Sequence, residues 1–540
     1  MRNLQALWVI LLIASSHMST SGADRPNILF AISDDQSFPH ASAYGCKWVN
    51  TPGFDLVAKS GVLFTNAFAP TPGCSPTRAS ILTGRHAWQN REAGTHASSF
   101  PADLPVFTEL LERSGYFVGA TGKGWGPGNF RTSGRKQNPA GKSWGKHKAK
   151  PPYKGMSNND YASNFADFLN NKTDEAPFCF WFGASEPHRA FEKVNDPASA
   201  DIDSIDVPPY LPDVPEVRAD LRAYAREVEW FDKHLARMLE ELKERGELEN
   251  TIVIVTSDNG MSFPRAKANV YEDGIHMPLA ISWPSTVPAN RTSKDLVSLI
   301  DIAPTILEAA GVGVPETVAG TSLLPLLTSS ESGVIDPKRS AVFAARERHS
   351  SVRYHSLGYP QRAIRTHKYL YIRNYKPERW PAGAPQKFGR GGYPKREEVV
   401  ARTLGPMHGC YHDIDGCPTL TLMVKRREEP KFARALSLAV DHRPAEELFD
   451  IENDPACMKN LAGTPAVAER QHELSKRLTA KLKESGDPRE HGNGDVFETY
   501  PRYSGIRIFP EPSWAKENPK VVPDQPWFDK RYQSMTKAKR

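Results

Sequence analysis

Along the first half of the chain, short continuous apolar runs end abruptly in polar clusters. Ile28 to Ile32 runs into Ser33-Asp34-Asp35-Gln36, and Thr251 to Thr256 runs into Ser257-Asp258-Asn259-Gly260. Phe178 to Phe182 leads to Glu186-Pro187-His188, and Phe117 to Thr121 leads to Gly122-Lys123. Uninterrupted apolar runs are what strands buried on both faces of a parallel sheet require. Between them lie stretches of helical period, the clearest from Val217 to Arg245, where Leu221, Tyr224, Val228, Phe231, Leu235, Met238 and Leu242 recur at spacings of three and four. Strands alternating with helices predict an α/β core on a doubly wound, mostly parallel sheet. Ligands of such sheets bind beyond the carboxyl ends of the strands, where all four polar clusters fall, so one shared site is expected.

After about Thr328 the pattern changes. Arg362 to Ile372 reads as a strand, Tyr375 to Arg402 as a Gly, Pro and basic-rich loop, Ala466 to Glu484 as a helix, and the Pro-rich tail from Pro501 as irregular. The division expected is a catalytic domain over 24–328 and a smaller C-terminal α+β domain over 329–540, preceded by a signal peptide over 1–23. Arg2, the apolar stretch Leu7 to Ala14 and the small residues Ser21-Gly22-Ala23 have the three-part plan of a secretory leader. The apolar run is short for a spanning helix, so stable membrane insertion is not expected. The protein is expected to be exported, to a periplasmic, lysosomal-type or extracellular location.

Hydrophobic residues at 39% and charged residues at 24% exclude global disorder and a multi-span membrane protein. The net charge of +6, with basic residues crowded into Arg131 to Lys154 and Pro385 to Arg402, leans towards anionic partners. No aromatic-rich nucleic-acid motif lies between those clusters, so a polyanionic glycan is expected rather than a nucleic acid. Six cysteines in 540 residues do not make a disulfide framework, although Cys410 and Cys417 are close enough in sequence to close a small loop.

Asp34, Asp35, Asp258 and Asn259 offer three carboxylates and an amide on two strand ends, a set of oxygen donors suited to calcium or magnesium. Singly, each cluster is as well explained by helix capping or a turn. Cys74-Ser75-Pro76-Thr77-Arg78, followed by Ala79-Ser80-Ile81-Leu82-Thr83-Gly84, carries the C-x-P-x-R signature with its downstream Thr-Gly. Pro76 suits the first turn of a helix, and the N-terminus of that helix would face an anion.

On these residues the chain resembles the type I, formylglycine-dependent sulfatase family, from Pro26 to about Leu461 and including Glu447-Leu448-Phe449-Asp450 and Asn453-Asp454-Pro455. The resemblance implies an alkaline-phosphatase-like fold, conversion of Cys74 to formylglycine by a maturation enzyme, and Ca2+ (or Mg2+) held by Asp34, Asp35, Asp258, Asn259 and the Cys74-derived group. Arg78 would orient that group, Lys123 and Lys267 would hold sulfate oxygens, and His188 would protonate the leaving atom. Alone, either lysine is as well explained by a surface ion pair, and His188 by a satisfied loop. The sequence departs from the family in Gly122-Lys123-Gly124-Trp125, where tryptophan stands in place of the usual base histidine. His86 and His96 are the candidate substitutes.

Gly126-Pro127, Pro187-His188-Arg189 and Ser257 through Arg265 look most like the heparan N-sulfatase branch, which implies an N-sulfated glucosamine as substrate. Trp144, His147, Tyr153, Arg390 and Tyr393 are candidates for shaping a sugar pocket, although exposed loop residues are the commoner explanation. Three other readings stay open: an O-sulfatase of another sulfated polysaccharide, a phosphodiester or phosphonate hydrolase of the same superfamily, and a non-catalytic secreted glycan-binding protein. A homodimer is also compatible with the sequence.

Overall fold

The computed structural model describes residues 25–173, 175–194, 201–385 and 410–537. The leader over 1–23 and the basic stretch around Arg390 and Tyr393 lie outside the described residues. Nine strands form the larger sheet: β1 (Asn27–Ser33), β2 (Gly61–Phe68), β3 (Phe117–Gly122), β4 (Lys142–Ser143), β5 (Phe178–Gly183), β6 (Thr251–Ser257), β7 (His276–Ser282), β8 (Arg291–Ser293) and β9 (Val297–Ser298). Their order is β4-β3-β5-β1-β6-β7-β2-β8, with β9 beside β2. β1, β3, β4, β5 and β6 run parallel, and β7 is antiparallel to both β6 and β2.

Alternation along β1 shows why its apolar run is continuous. Ile28, Phe30 and Ile32 enter one core with Ile81 and Leu82 of helix α2 (Cys74–Thr83) and Leu111 of α3 (Phe107–Arg113). Leu29 and Ala31 enter the opposite core with Phe165 of α4 (Tyr161–Asn170) and Phe231, Leu235 and Met238 of α5 (Pro215–Glu244). A strand covered by helices on both sides has no polar face to show. α5 carries the predicted period of three and four over thirty residues.

The smaller sheet is an antiparallel set of four: β10 (Val342–Arg346), β11 (Gln361–Arg365), β12 (Tyr369–Asn374) and β13 (Glu446–Asp450). The span Arg362 to Ile372, read as one strand, is the β11-β12 hairpin, because Thr366 closes a turn in which its backbone N–H donates to Tyr369 at 2.9 Å. The helix Ala468–Glu484 packs Leu474, Leu478 and Leu482 on one face of this sheet. The other face meets Phe68, Val270, Tyr271 and Ile275 of the larger unit. The tail after Pro501 is more regular than its prolines suggest, with helices at Ser513–Glu517 and Pro526–Lys537. Cys410 and Cys417 are both buried free thiols, so no small loop is closed there. No helix among the described residues is long and apolar enough to cross a membrane.

Candidate active site

Because β1, β3, β5 and β6 are parallel and in register, the polar residues that follow them emerge along one edge. Asp34 and Asp35 follow β1, Asp258 and Asn259 follow β6, Lys123 follows β3, and His188 lies in the loop after β5. All but Lys123 and His188 are fully buried, with Asp34, Asp35, Asp258 and Asn259 each at most 1% exposed. Asp35 adopts φ 74°, a left-handed conformation that aspartate tolerates better than most residues. This turn aims its backbone N–H at Asp258 Oδ1, 3.2 Å away.

The charges interlock. Asp34 Oδ2 accepts from Lys123 Nζ. Asp35 accepts from Asn259 Nδ2 at 2.7 Å and from Lys267 Nζ at 2.7 Å. Asp258 Oδ2 accepts from Arg78 Nε at 2.7 Å. Burial works to raise the Asp34 pKa, but Lys123, His188, Arg78 and Lys267 outweigh it and hold the carboxyl well below its usual range. Burial and the Asp34 carboxylate together push Asp258 up to about 6. Two carboxylates facing each other in a buried pocket ionise together cheaply only with a cation between them.

Unpaired atoms show where such a cation fits. Asp34 Oδ1 and Asn259 Oδ1 are buried without a hydrogen-bond partner. The ligand atoms of Asp34, Cys74 and Asp258 lie within 4.8 Å of one another. Buried oxygens left unpaired are costly, and a hard divalent cation satisfies an all-oxygen set of this kind. The donor set fits calcium or magnesium.

Cys74 is the first residue of α2, with Gly73 before it in extended conformation and Gly84 closing the helix in left-handed conformation at φ 66°. All ten residues of α2 are buried, so this helix is wedged inside the protein with its positive end at the site. Burial pushes the Cys74 thiol up to about 11, so as a plain cysteine it is not a thiolate nucleophile. Arg78, one turn in, is fully buried and also donates to the backbone carbonyl of Lys123 at 2.6 Å, while its Nη2 has no partner.

Of the two substitute histidines, only His96 reaches the site: its Nε2 lies 3.3 Å from Cys74 Sγ. His86 stacks on Trp88 with ring centroids 4.4 Å apart and belongs to a local capping turn. Arg502 Nη1 lies 3.5 Å from His96 Nδ1. A guanidinium only donates, so this contact favours the tautomer with its hydrogen on Nε2, facing residue 74. Burial, then His349 and Arg502, lowers the His96 pKa well below its ordinary value and keeps the ring neutral. Trp125 points elsewhere, packed edge-on against Phe100 at 5.2 Å within the core.

Several residues of this constellation come from the C-terminal half and were not read from the sequence. Asp415 accepts from Lys267 at 2.8 Å. The His349 ring lies behind His96, tilted to it with centroids 4.6 Å apart, and its Nδ1 is 3.2 Å from Asp413 Oδ1. Asp413 and Asp415 follow no strand directly, and His349, three residues after β10, belongs to no spacing motif, so the sequence carries little signal for them. Of the candidate sugar-pocket residues, Trp144 packs on Phe117 and Phe168, His147 faces Asp167, and Tyr153 lies under Arg226.

The model of the family described as Sulfatase matches residues 26–312, and a model described as N-sulphoglucosamine sulphohydrolase, C-terminal, matches residues 265–381. An ulvan-active sulfatase of Formosa agariphila is 28% identical over 475 residues, covering 87% of this chain and 82% of its own length. The N-sulphoglucosamine sulphohydrolase of Homo sapiens is 27% identical over 503 residues, covering 86% of this chain and 91% of its own. The structure of BT4656 in complex with its substrate D-glucosamine-2-N,6-O-disulfate matches with a TM-score of 0.59 at 21% identity, over 86% of this chain and 98% of that one, a likeness of fold.

Proposed function

Because the chain belongs to the sulfatase family, we propose that it removes sulfate from a sulfated carbohydrate, with N-sulfoglucosamine in a heparan-like glycan as the substrate. The observation that carries this reading is Cys74 at the N-terminus of a fully buried helix, within reach of His96 and facing a rim of cations. Formylglycine at residue 74 would supply the nucleophile, and a divalent cation would supply charge to hold the sulfate. Asp34, Asp35, Asp258 and Asn259 would hold the cation, as the unpaired oxygens of Asp34 and Asn259 support.

The remaining roles belong to side chains. Lys123 and Lys267 present ammonium groups to the sulfate oxygens, and although burial works to lower the Lys123 pKa, the Asp34 carboxylate outweighs it and pushes it up to about 12, so the group is firmly charged. Arg78 Nη2 is a further unpaired donor at the same place. His188 is half-exposed at the mouth, with Nε2 3.9 Å from Asp35 Oδ2 and Nδ1 2.7 Å from the Arg189 carbonyl. That carbonyl can only accept, which puts a hydrogen on Nδ1 and suits a protonated ring delivering its Nε2 proton to the leaving atom. His96 would donate from Nε2 to the oxygen of residue 74 and hold it in place, a role short of the proton-accepting one of the histidine that Trp125 replaces. The chain acts after export, and an enzyme that oxidises Cys74 is a required partner.

Sulfate release by matured protein from N-sulfated and O-sulfated glucosamines, with Cys74→Ala as control, tests the reading. Release from the N-sulfated sugar that vanishes in Cys74→Ala supports it. Release only from O-sulfated sugars would keep the chemistry and replace the substrate, a second reading that the similarity to the ulvan-active sulfatase favours. No release from protein with verified formylglycine would overturn both.

A further inference from the structure

Asp415 is a carboxylate in the wrong place for a site that binds only an anion. It is supplied by the segment after the smaller sheet's β12, outside the cation-binding set. Its side chain is 27% exposed, and its Oδ2 lies 2.8 Å from Lys267 Nζ, the lysine that also contacts Asp35. One oxygen of Asp415 lies within 4.8 Å of both an Asp35 oxygen and a ring nitrogen of His188, the proposed proton donor. A fixed negative charge there repels an incoming sulfate. Lys267 already has Asp35 as its counter-ion, so neutralising the lysine does not by itself call for a second carboxylate.

The two kinds of sulfated sugar change charge differently at the reacting atom. Hydrolysis of a sulfamate, R–NH–SO3− plus water, breaks the S–N bond and leaves its electron pair on nitrogen. The nitrogen gains two protons overall, both from the water consumed and one of them relayed through the acid, to give R–NH3+ and SO4 2−. Hydrolysis of a sulfate ester gives R–OH, SO4 2− and a proton released to solvent, so the sugar atom stays neutral. A carboxylate beside the leaving atom therefore gains attraction as an amine forms, and gains nothing of the kind as an alcohol forms. Interactions stronger late in the reaction than in the bound substrate are the ones that raise the rate.

We propose that Asp415 is a specificity-determining residue that accepts a hydrogen from the sugar nitrogen and pairs with the ammonium of the released amino sugar, selecting N-sulfated over O-sulfated substrates. This rests on the sulfatase reading of the site. The burial of Asp415 would raise its pKa, but Lys267 and His188 hold it low, so the carboxylate is charged throughout the working range.

Two arms test it. In matured protein, Asp415→Asn should lower kcat/KM on N-sulfoglucosamine about ten-fold more than on a 6-O-sulfated N-acetylglucosamine, the size of one hydrogen bond to a charged group. Asp415→Glu, which keeps the charge, should keep the preference. In unmatured protein, which cannot turn over, glucosamine binding followed by NMR titration should weaken about ten-fold in Asp415→Asn, while N-acetylglucosamine binding should not change. Equal losses on both sulfated sugars would show that Asp415 only positions Lys267 or His188, and would overturn the proposal. If wild-type protein releases no sulfate, the catalytic reading fails, and the glucosamine arm alone decides: unchanged binding in Asp415→Asn overturns the amine site.

Discussion

Two buried charge clusters in this protein are built from the same residue types and do different things. Both arginines of β11 are fully paired. Arg362 gives Nε and Nη2 to the two oxygens of Asp487 at 2.6 and 3.0 Å, and Nη1 to Glu347 at 2.8 Å. Arg365 places Nε 2.6 Å from Glu272, which ties the smaller sheet to the larger unit. At the carboxyl edge of the larger sheet the pairing is left incomplete. Asp34 Oδ1, Asn259 Oδ1 and Arg78 Nη2 have no partner. A buried ion pair with every atom satisfied holds a structure in one arrangement, whereas buried groups with free valences are poised for something that arrives later.

The largest effect expected is on rate alone. His96→Ala should lower sulfate release by roughly 10²–10⁴-fold, as loss of a hydrogen-bonding group at a nucleophile does, with little change in melting temperature. A loss of folding in that variant would mean that His96 belongs with the satisfied cluster. Breaking that cluster should do the reverse. Arg362→Met leaves Asp487 as a buried anion without its guanidinium, while Glu347 keeps Arg489, and should cost about 3–5 kcal/mol in urea unfolding, with activity per folded molecule retained.

The pH dependence of stability sharpens the contrast. Despite burial, Arg365 and His276 hold Glu272 at about 2 in the folded protein, against 4.5 unfolded. A depressed carboxyl stabilises fully above its unfolded pKa, so this contribution should be complete above pH 4.5 and lost as the pH falls through about 2. Glu272→Gln should be less stable than wild type by about 3 kcal/mol at neutral pH, a gap that closes towards pH 2 in urea titrations. The smallest effect is calcium's. At a hundred times its dissociation constant it should stabilise wild type by about 2.7 kcal/mol, seen as a rise in melting temperature, and the same calcium should leave Asp258→Asn nearly unmoved. An equal rise in both proteins would place the cation away from these carboxylates.

Much of the cluster at the carboxyl edge of the larger sheet was legible before the structure. The strand ends, the C-x-P-x-R run and the lysine after β3 are local in sequence, and the two strand-end acidic groups meet because the strands are parallel neighbours. The fold of the larger unit was legible for the same reason: a strand sandwiched between helices cannot hide its apolar run. The smaller sheet was read less well, since one hairpin passed for one strand when its turn, Thr366 to Lys368, carries neither glycine nor proline. The helices of the tail are hidden in the sequence because its prolines, which break helix interiors, here serve as helix starts, as Pro526 does.

The sequence by itself determined the chemistry at the strand ends, because a parallel α/β sheet sends every such residue to the same edge whatever the loops do. Only the tertiary structure decided which histidine faces residue 74, that Trp125 turns into the core, and that Asp415 shares Lys267 with Asp35. Those three depend on packing between segments hundreds of residues apart or on the direction of one side chain. Neither quantity is written in the local period or spacing of the chain.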